Sequence, residues 1–282
     1  MGKRSSLKNL LWAAAIALCL LALLISLFIA AFSRYRGEKQ RGGVHLDGSA
    51  ASSVSAAPEG IDGGLDAALP GGDGSLHRLG ESADAGQGYV NSLTFLVDST
   101  LIGLRDSGIL TVNGQATTQV WGSAAGNLPV ATLSDCLIRY PGDGSDLSPA
   151  NAALVTKPSR LVLCLGSDAL SQVDEAAFKS NYSALIESLR RASPDTVIIV
   201  CSLPSVVPDY NGADGLSSYL VGNANDWIRD VCSETGVYYA DSGAALRDAN
   251  GTLMSEYASA NGKTLNAAGL SVFLNYLRSH SV

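Results

Sequence analysis

Ser99 is the side chain in this sequence best placed to do chemistry. It follows Phe95-Leu96-Val97-Asp98, the end of a short apolar run with the signature of a buried strand. Thr100 and an apolar turn containing Gly103 come next. A serine just past a parallel strand and entering a helix carries its hydroxyl at the ligand edge of the sheet, where backbone N–H groups can stabilise an oxyanion. A serine nucleophile also needs a base, and bases are scarce. Of three histidines, His45 and His77 fall in a low-complexity stretch, and His280 lies two residues from the C-terminus. Asp241, Asp248 and Glu256 are acidic groups in late loops with the chemistry to hold a cation, although such residues are ordinarily solvated surface. Cys136, Cys164, Cys201 and Cys232 show no metal-ligand spacing, and Cys164 and Cys201 sit in or beside apolar runs where free cysteine behaves as a small hydrophobe. No phosphate loop, dinucleotide fingerprint or zinc helix is present; neither a cofactor nor a metal is expected.

The elements that must position Ser99 alternate between strand and helix. Leu93–Val97, Val120-Trp121, Leu161–Leu165, Val197–Val200 and Val237–Ala240 read as five strands; the third and fourth are continuous apolar runs, as in parallel strands covered on both faces. Phe178, Tyr182, Leu185 and Leu189 step at helical spacing. Leu220, Trp227, Ile228 and Val231 form a second stripe, and Leu270, Phe273, Leu274 and Leu277 a third, with Asn266 placed to cap its start. The alternation predicts a three-layer α/β/α domain with a five-stranded, mainly parallel sheet and right-handed crossovers. Ligands of such sheets bind beyond the carboxyl ends of the strands, where the loops after Val97, Leu165 and Leu203 gather.

Upstream of this domain the chain changes character. Residues 1–9 carry Lys3, Arg4 and Lys8, and residues 10–32 run without a charge. As a helix that run reaches ~35 Å, enough to cross a ~30 Å hydrocarbon core, and it is longer than the apolar region of a cleavable signal. Residues 33–89 are rich in Gly, Ala, Ser and Asp and lack the large apolar groups that offset chain entropy; as a flexible coil they span roughly 40 Å. The expected organisation is a cytoplasmic N-terminus at 1–9, a single-pass anchor at 10–32, a tether at 33–89 and an extracytoplasmic domain at 90–282. The chain of 282 residues has net charge −7, and from residue 90 onward 11 Lys+Arg face 18 Asp+Glu. An acidic domain of this kind disfavours nucleic acid and anionic lipid surfaces as partners.

Four segments in order resemble the conserved blocks of the SGNH/GDSL hydrolases. FLVDSTLIGL is similar to the first block, VWGSAAGNL to the second, LCLGSDALS to the third, and YASANGKTLNAAG has the frame of the last, Asp-Gly-x-His-Leu-Asn before a helix. The resemblance covers about Ser92 to His280 and implies a flavodoxin-like α/β/α hydrolase fold. It places Ser99 at the nucleophile and puts Ser99, Gly126 and Asp168 at the oxyanion hole. Asn261 falls at the orienting Asp and Thr264 at the base His. Val97 stands at the first-block Gly, and Asp168 where the family has Asn. An ionised carboxylate accepts hydrogen bonds and donates none, and a threonine hydroxyl is no base near neutral pH.

The expectation is therefore a membrane-anchored SGNH/GDSL hydrolase-like protein of the cell envelope, impaired in ester hydrolysis, whose cleft binds an envelope glycan or a small acylated ligand. One alternative is an active serine esterase or O-deacetylase using Ser99 with an unorthodox base such as Lys263 or His280. The other is a protein-interaction module.

Overall fold

The computed structural model describes residues 74–111 and 115–282. The anchor read at 10–32 and most of the tether lie outside the described residues. Among the described residues no helix is long and apolar enough to cross a membrane.

The elements run β1 (His77–Arg78), α1 (Gly86–Asn91), β2 (Leu93–Val97), α2 (Gly103–Asp106), β3 (Val120–Trp121), β4 (Ile138–Arg139), β5 (Asp146–Leu147), α3 (Pro149–Thr156), β6 (Arg160–Cys164), α4 (Glu175–Ala192), β7 (Val197–Cys201), α5 (Ser218–Thr235), β8 (Tyr238–Ala240) and α6 (Ala267–Arg278). Six strands form one sheet in the order β1-β8-β7-β6-β2-β3, and every neighbouring pair is parallel. Strands β4 and β5 make a separate antiparallel pair.

The sheet has one strand more than the five expected. The additional strand is β1, two polar residues whose backbone pairs His77 with Tyr238 and Arg78 with Tyr239. A two-residue edge strand has neither the length nor the apolar content that marks a strand in sequence. It lies inside the stretch read as tether, so His77 is held against the sheet edge, its ring edge-on to Tyr238 at 6.2 Å between centroids.

Successive strand residues face opposite sides of the sheet, and here both sides are buried. Leu161, Leu163, Ile198 and Val200 join Phe178, Tyr182, Leu185, Ile228 and Val231 of α4 and α5 on one face. Val162, Cys164, Ile199 and Cys201 join Leu270, Phe273 and Leu277 of α6 on the other. All four described cysteines are free and buried, as expected of small hydrophobes. The three long helices start on side-chain caps, each an oxygen accepting a first-turn N–H that otherwise lacks a partner: Asp174 from Ala177, Ser217 from Leu220 and Asn266 from Gly269.

Candidate active site

Three loops leave the carboxyl edge of the sheet and meet at Ser99. The first begins at Asp98, whose side chain is fully buried. One carboxylate oxygen accepts Thr100 N–H at 3.0 Å and Thr100 O–H at 2.6 Å. The other accepts the N–H groups of Gly166 and Ser167 at 3.0 and 2.9 Å and the Ser167 hydroxyl at 2.7 Å. Asp98 thus ties the loop after β2 to the loop after β6. Burial pushes its pKa above the usual carboxylate range and the nearby Asp168 charge adds to that, opposed by the hydrogen bonds from Thr100 and Ser167.

The second loop, Gly166–Ala169, follows β6 and turns sharply. Gly166 has φ +134°, and a Cβ there would lie 3.3 Å from the Phe178 ring. Ala169 has φ 57° and ψ 24°, the left-handed region that non-glycine residues seldom occupy. This turn delivers Asp168 to Ser99. The Asp168 carboxylate accepts the Ser99 N–H at 3.1 Å and the Ser99 hydroxyl at 2.5 Å. It also accepts the Leu128 N–H at 2.8 Å, while the Asp168 carbonyl accepts Val130 N–H at 3.0 Å. Gly126, at φ +80°, donates its N–H to the Ser123 carbonyl at 3.0 Å, so the donor that reaches Asp168 from this loop is Leu128. Nothing in side-chain chemistry marks Leu128 in the sequence, because its contribution is a backbone N–H.

The third loop carries Asn261 and Thr264. Asn261 Nδ2 donates to Thr264 Oγ1 at 2.9 Å, and Thr264 Oγ1 donates to the Ser99 carbonyl at 3.2 Å. The Leu265 N–H adds a bond to the Thr100 carbonyl at 2.9 Å. Both residues therefore dock the loop on the Ser99 backbone, and neither hydrogen-bonds the Ser99 hydroxyl. Lys263 points elsewhere: its ammonium pairs with Asp214 at 2.8 Å, a carboxylate that also accepts the Tyr210 hydroxyl and the Leu216 N–H. Partial burial works against the Lys263 charge, but Asp214 outweighs it and raises the lysine pKa. A lysine whose proton is held this way is a poor general base. His280 is further removed; it sits past the end of α6, bonded to the Tyr276 carbonyl and stacked on the Tyr276 ring at 3.8 Å. Twelve helical residues place it roughly 18 Å along the axis from the start of α6.

Of the acidic loop residues, Asp241 and Asp248 have structural employment. Asp241 pairs with Arg78 at 2.9 Å and, at longer range, with Arg247. Asp248 closes its own turn onto Asn250 and Thr252. No group of His, Cys, Asp and Glu among the described residues could hold a metal ion.

The Asp214–Lys263 pair gives a pH-dependent expectation. Partial burial raises the Asp214 pKa, and the bonds from Lys263, Leu216 and Tyr210 outweigh it, so the group stands below its usual range. A lowered carboxylate pKa contributes stability above the unfolded value near 4, lost as pH falls through the folded value. The raised Lys263 pKa contributes below the unfolded value near 10.4, lost as pH rises past the folded one. Asp214→Asn should therefore cost about 0.5–1 kcal/mol between pH 5 and 9 in chemical denaturation, with the difference from wild type shrinking below pH 4. A difference that is constant from pH 7 down to pH 2 would remove the ion pair from the account.

The family model of the GDSL-like lipase/acylhydrolases matches residues 80–269. Among solved structures, a Streptococcus pneumonia protein assigned as a platelet activating factor is 18% identical, with TM-score 0.51, over 66% of this chain and 82% of its own. A GDSL-like lipase from Parabacteroides merdae is 16% identical, with TM-score 0.48, over 72% and 98%. A family 3 carbohydrate esterase of Clostridium thermocellum is 14% identical, with TM-score 0.43, over 67% and 93%. At 18% identity and TM-score 0.51, the first of these bears on the fold alone. A search of curated proteins finds no match.

Proposed function

Because the chain belongs to the GDSL-like lipase/acylhydrolase family across residues 80–269, we propose that it is a membrane-tethered, extracytoplasmic member that has given up ester hydrolysis and uses its cleft to bind an envelope glycan or a small acylated ligand. One observation carries this reading. The Asp168 carboxylate accepts the Ser99 N–H, the Ser99 hydroxyl and the Leu128 N–H. The two N–H donors, placed this way, stabilise the negative oxygen that develops when a serine attacks an acyl carbonyl. Here they face an internal anion, so an incoming carbonyl meets a filled acceptor position and a charge that repels its developing oxyanion.

The absence of a base supports the same conclusion. Asn261 donates to Thr264 and Thr264 donates to the Ser99 carbonyl, and a threonine hydroxyl cannot take the nucleophile's proton near neutral pH. Catalysis without a base falls back on binding and the oxyanion hole, worth ~10³–10⁴-fold over water, and here the hole is occupied. The membrane tether rests on the uncharged run at 10–32.

The expected result is retention of the purified full chain on insoluble cell-wall glycan, competed by soluble glycan fragments and weakened about tenfold or more when Asp168 is changed to Ala. Passage of the wild type straight through, with capture of a protein instead, would favour an interaction module. The alternative of an active esterase has one observation of its own, the 2.5 Å bond from the Ser99 hydroxyl to Asp168, which offers a carboxylate as proton acceptor. Turnover of acetyl esters that disappears in Ser99→Ala would establish that reading.

A further inference from the structure

Asparagine is a thermolabile residue, and most so before glycine. The following backbone nitrogen can attack the side-chain amide carbon, and glycine has no side chain to obstruct the approach. The described residues hold three such pairs, Asn211-Gly212, Asn250-Gly251 and Asn261-Gly262; a fourth, Asn113-Gly114, lies outside them. Folding treats the three differently. The Asn261 Oδ1 accepts the N–H groups of Lys263 and Thr264 at 3.1 and 3.0 Å, and its Nδ2 donates to Thr264 Oγ1 at 2.9 Å. The attacking atom is engaged too, because the Gly262 N–H donates to the Ser259 carbonyl at 2.9 Å. Asn250 lies in the turn that Asp248 closes: its Nδ2 is 3.4 Å from that carboxylate, and the Gly251 N–H donates to the Asp248 carbonyl at 3.1 Å. Asn211 is exposed. Among the described residues, none bonds to its side-chain amide or accepts the Gly212 N–H.

Glycine at 212 has a structural cause of its own. A Cβ there would collide with the Tyr210 hydroxyl, and that hydroxyl is fixed by the Asp214 carboxylate at 3.0 and 3.1 Å. The packing of Tyr210 therefore selects the one residue type that leaves Asn211 open to attack. The loop between β7 and α5 that carries this pair also abuts the Ser99 site. Its Asp214 carbonyl accepts the Ser171 hydroxyl at 2.6 Å, just past the turn that delivers Asp168. Its Val207 N–H donates to the Gly262 carbonyl at 3.0 Å, on the loop of Asn261 and Thr264.

We propose that Asn211 is a modification site at which the folded chain deamidates itself. The Gly212 nitrogen gives up its proton to hydroxide and bonds to Asn211 Cγ. The Cγ–Nδ2 bond breaks, the side-chain nitrogen takes a proton from water and leaves as ammonia, and a five-membered cyclic imide remains. Water then opens the ring. Addition at Cγ gives aspartate, whereas addition at the backbone carbonyl carbon gives an isoaspartyl linkage whose main chain runs through Cβ and Cγ. The sum is one water consumed and one ammonia released, with no oxidant or reductant. Either product adds a negative charge three residues before Asp214. The isoaspartyl product also lengthens the main chain between Tyr210 and Asp214, whose side chains close this loop on each other.

The test is to age the purified full chain in mildly alkaline buffer, digest it, and score each Asn-Gly pair by mass spectrometry with isoaspartyl peptides resolved by chromatography. In the folded chain Asn211 should convert at least tenfold faster than Asn250 and Asn261, and its rate should rise with pH. In urea sufficient to unfold the domain the three rates should converge to within a few-fold, because the hydrogen bonds that restrain Asn250 and Asn261 are then lost. Asn211→Gln should abolish conversion in that loop and leave the melting temperature unchanged, since an exposed side chain without a partner contributes little to stability. Two outcomes overturn the inference. One is an Asn211 rate in the folded chain no higher than those of Asn250 and Asn261. The other is the same ranking and spread in urea as in buffer, which would assign the reactivity to local sequence and none of it to the fold.

Discussion

A fluorophosphonate probe should leave the wild-type chain unlabelled, at a rate no different from Ser99→Ala, and should label a variant carrying Asp168→Asn, Thr264→His and Asn261→Asp together. The reason lies in the geometry of one carboxylate. An organophosphorus probe reports whether a serine is activated, which requires a base for its proton and donors for the phosphoryl oxygen. In the wild type the Ser99 hydroxyl and two backbone N–H groups are all directed at Asp168. Asp168→Asn replaces the anion with a group that has two N–H donors. Thr264→His places an imidazole on the loop that already touches the Ser99 carbonyl, and Asn261→Asp can orient it. Because a base and an oxyanion hole each contribute ~10²–10³-fold or more, the triple variant should label at least ~10²-fold faster than wild type. Asp168→Asn alone should remain near background, since it supplies donors but no base. Labelling of the wild type that is lost in Ser99→Ala would sink the proposal of an impaired hydrolase.

Asp98→Ala should be the most damaging single substitution near the site. Asp98 is fully buried and accepts five hydrogen bonds, two from Thr100, one from Gly166 and two from Ser167. Truncation leaves all five donors buried without an acceptor, and each such loss costs on the order of 1 kcal/mol or more. The expected destabilisation is about 3–5 kcal/mol, a fall in Tm of roughly 6–20 °C at ~2–4 °C per kcal/mol. Asp98→Asn should not rescue it: whichever way the amide turns, its NH2 group faces N–H and O–H donors. A loss under about 1 kcal/mol in either variant would mean that the two loops hold their shape without this carboxylate.

How much of this was legible in the sequence depends on what each feature is made of. The central strands were, because LVLCL and VIIV are apolar at every position, as a strand covered on both faces must be. The helices were, because Phe178, Tyr182, Leu185 and Leu189 repeat at the helical period and all are buried. Strand β1 was not, because two polar residues held by backbone pairing leave no side-chain pattern. At the site, Ser99 announced itself by type and position, and the four blocks aligned Asp168 with it. The contact between them depends on a left-handed Ala169 and a tightly packed Gly166, which no spacing rule predicts. Three of the five donors of the Asp98 knot lie in residues 68 and 69 positions downstream, beyond any local reading. Gly126 was the visible glycine of its loop, yet the N–H directed at the carboxylate belongs to Leu128.

The pairing of β1 with β8 also constrains the order in which the molecule is assembled. His77 has no strand to join until Tyr238 has been made. At ~5–20 residues per second the intervening ~160 residues take roughly 10–30 s of synthesis. For the last ~37 residues of that interval, roughly 2–7 s, β7 has no β8 beside it and stands as a provisional edge whose unpaired N–H and C=O groups can recruit another chain. A ribosome stalled after residue 201 and before residue 238 would present VIIVC as that edge indefinitely.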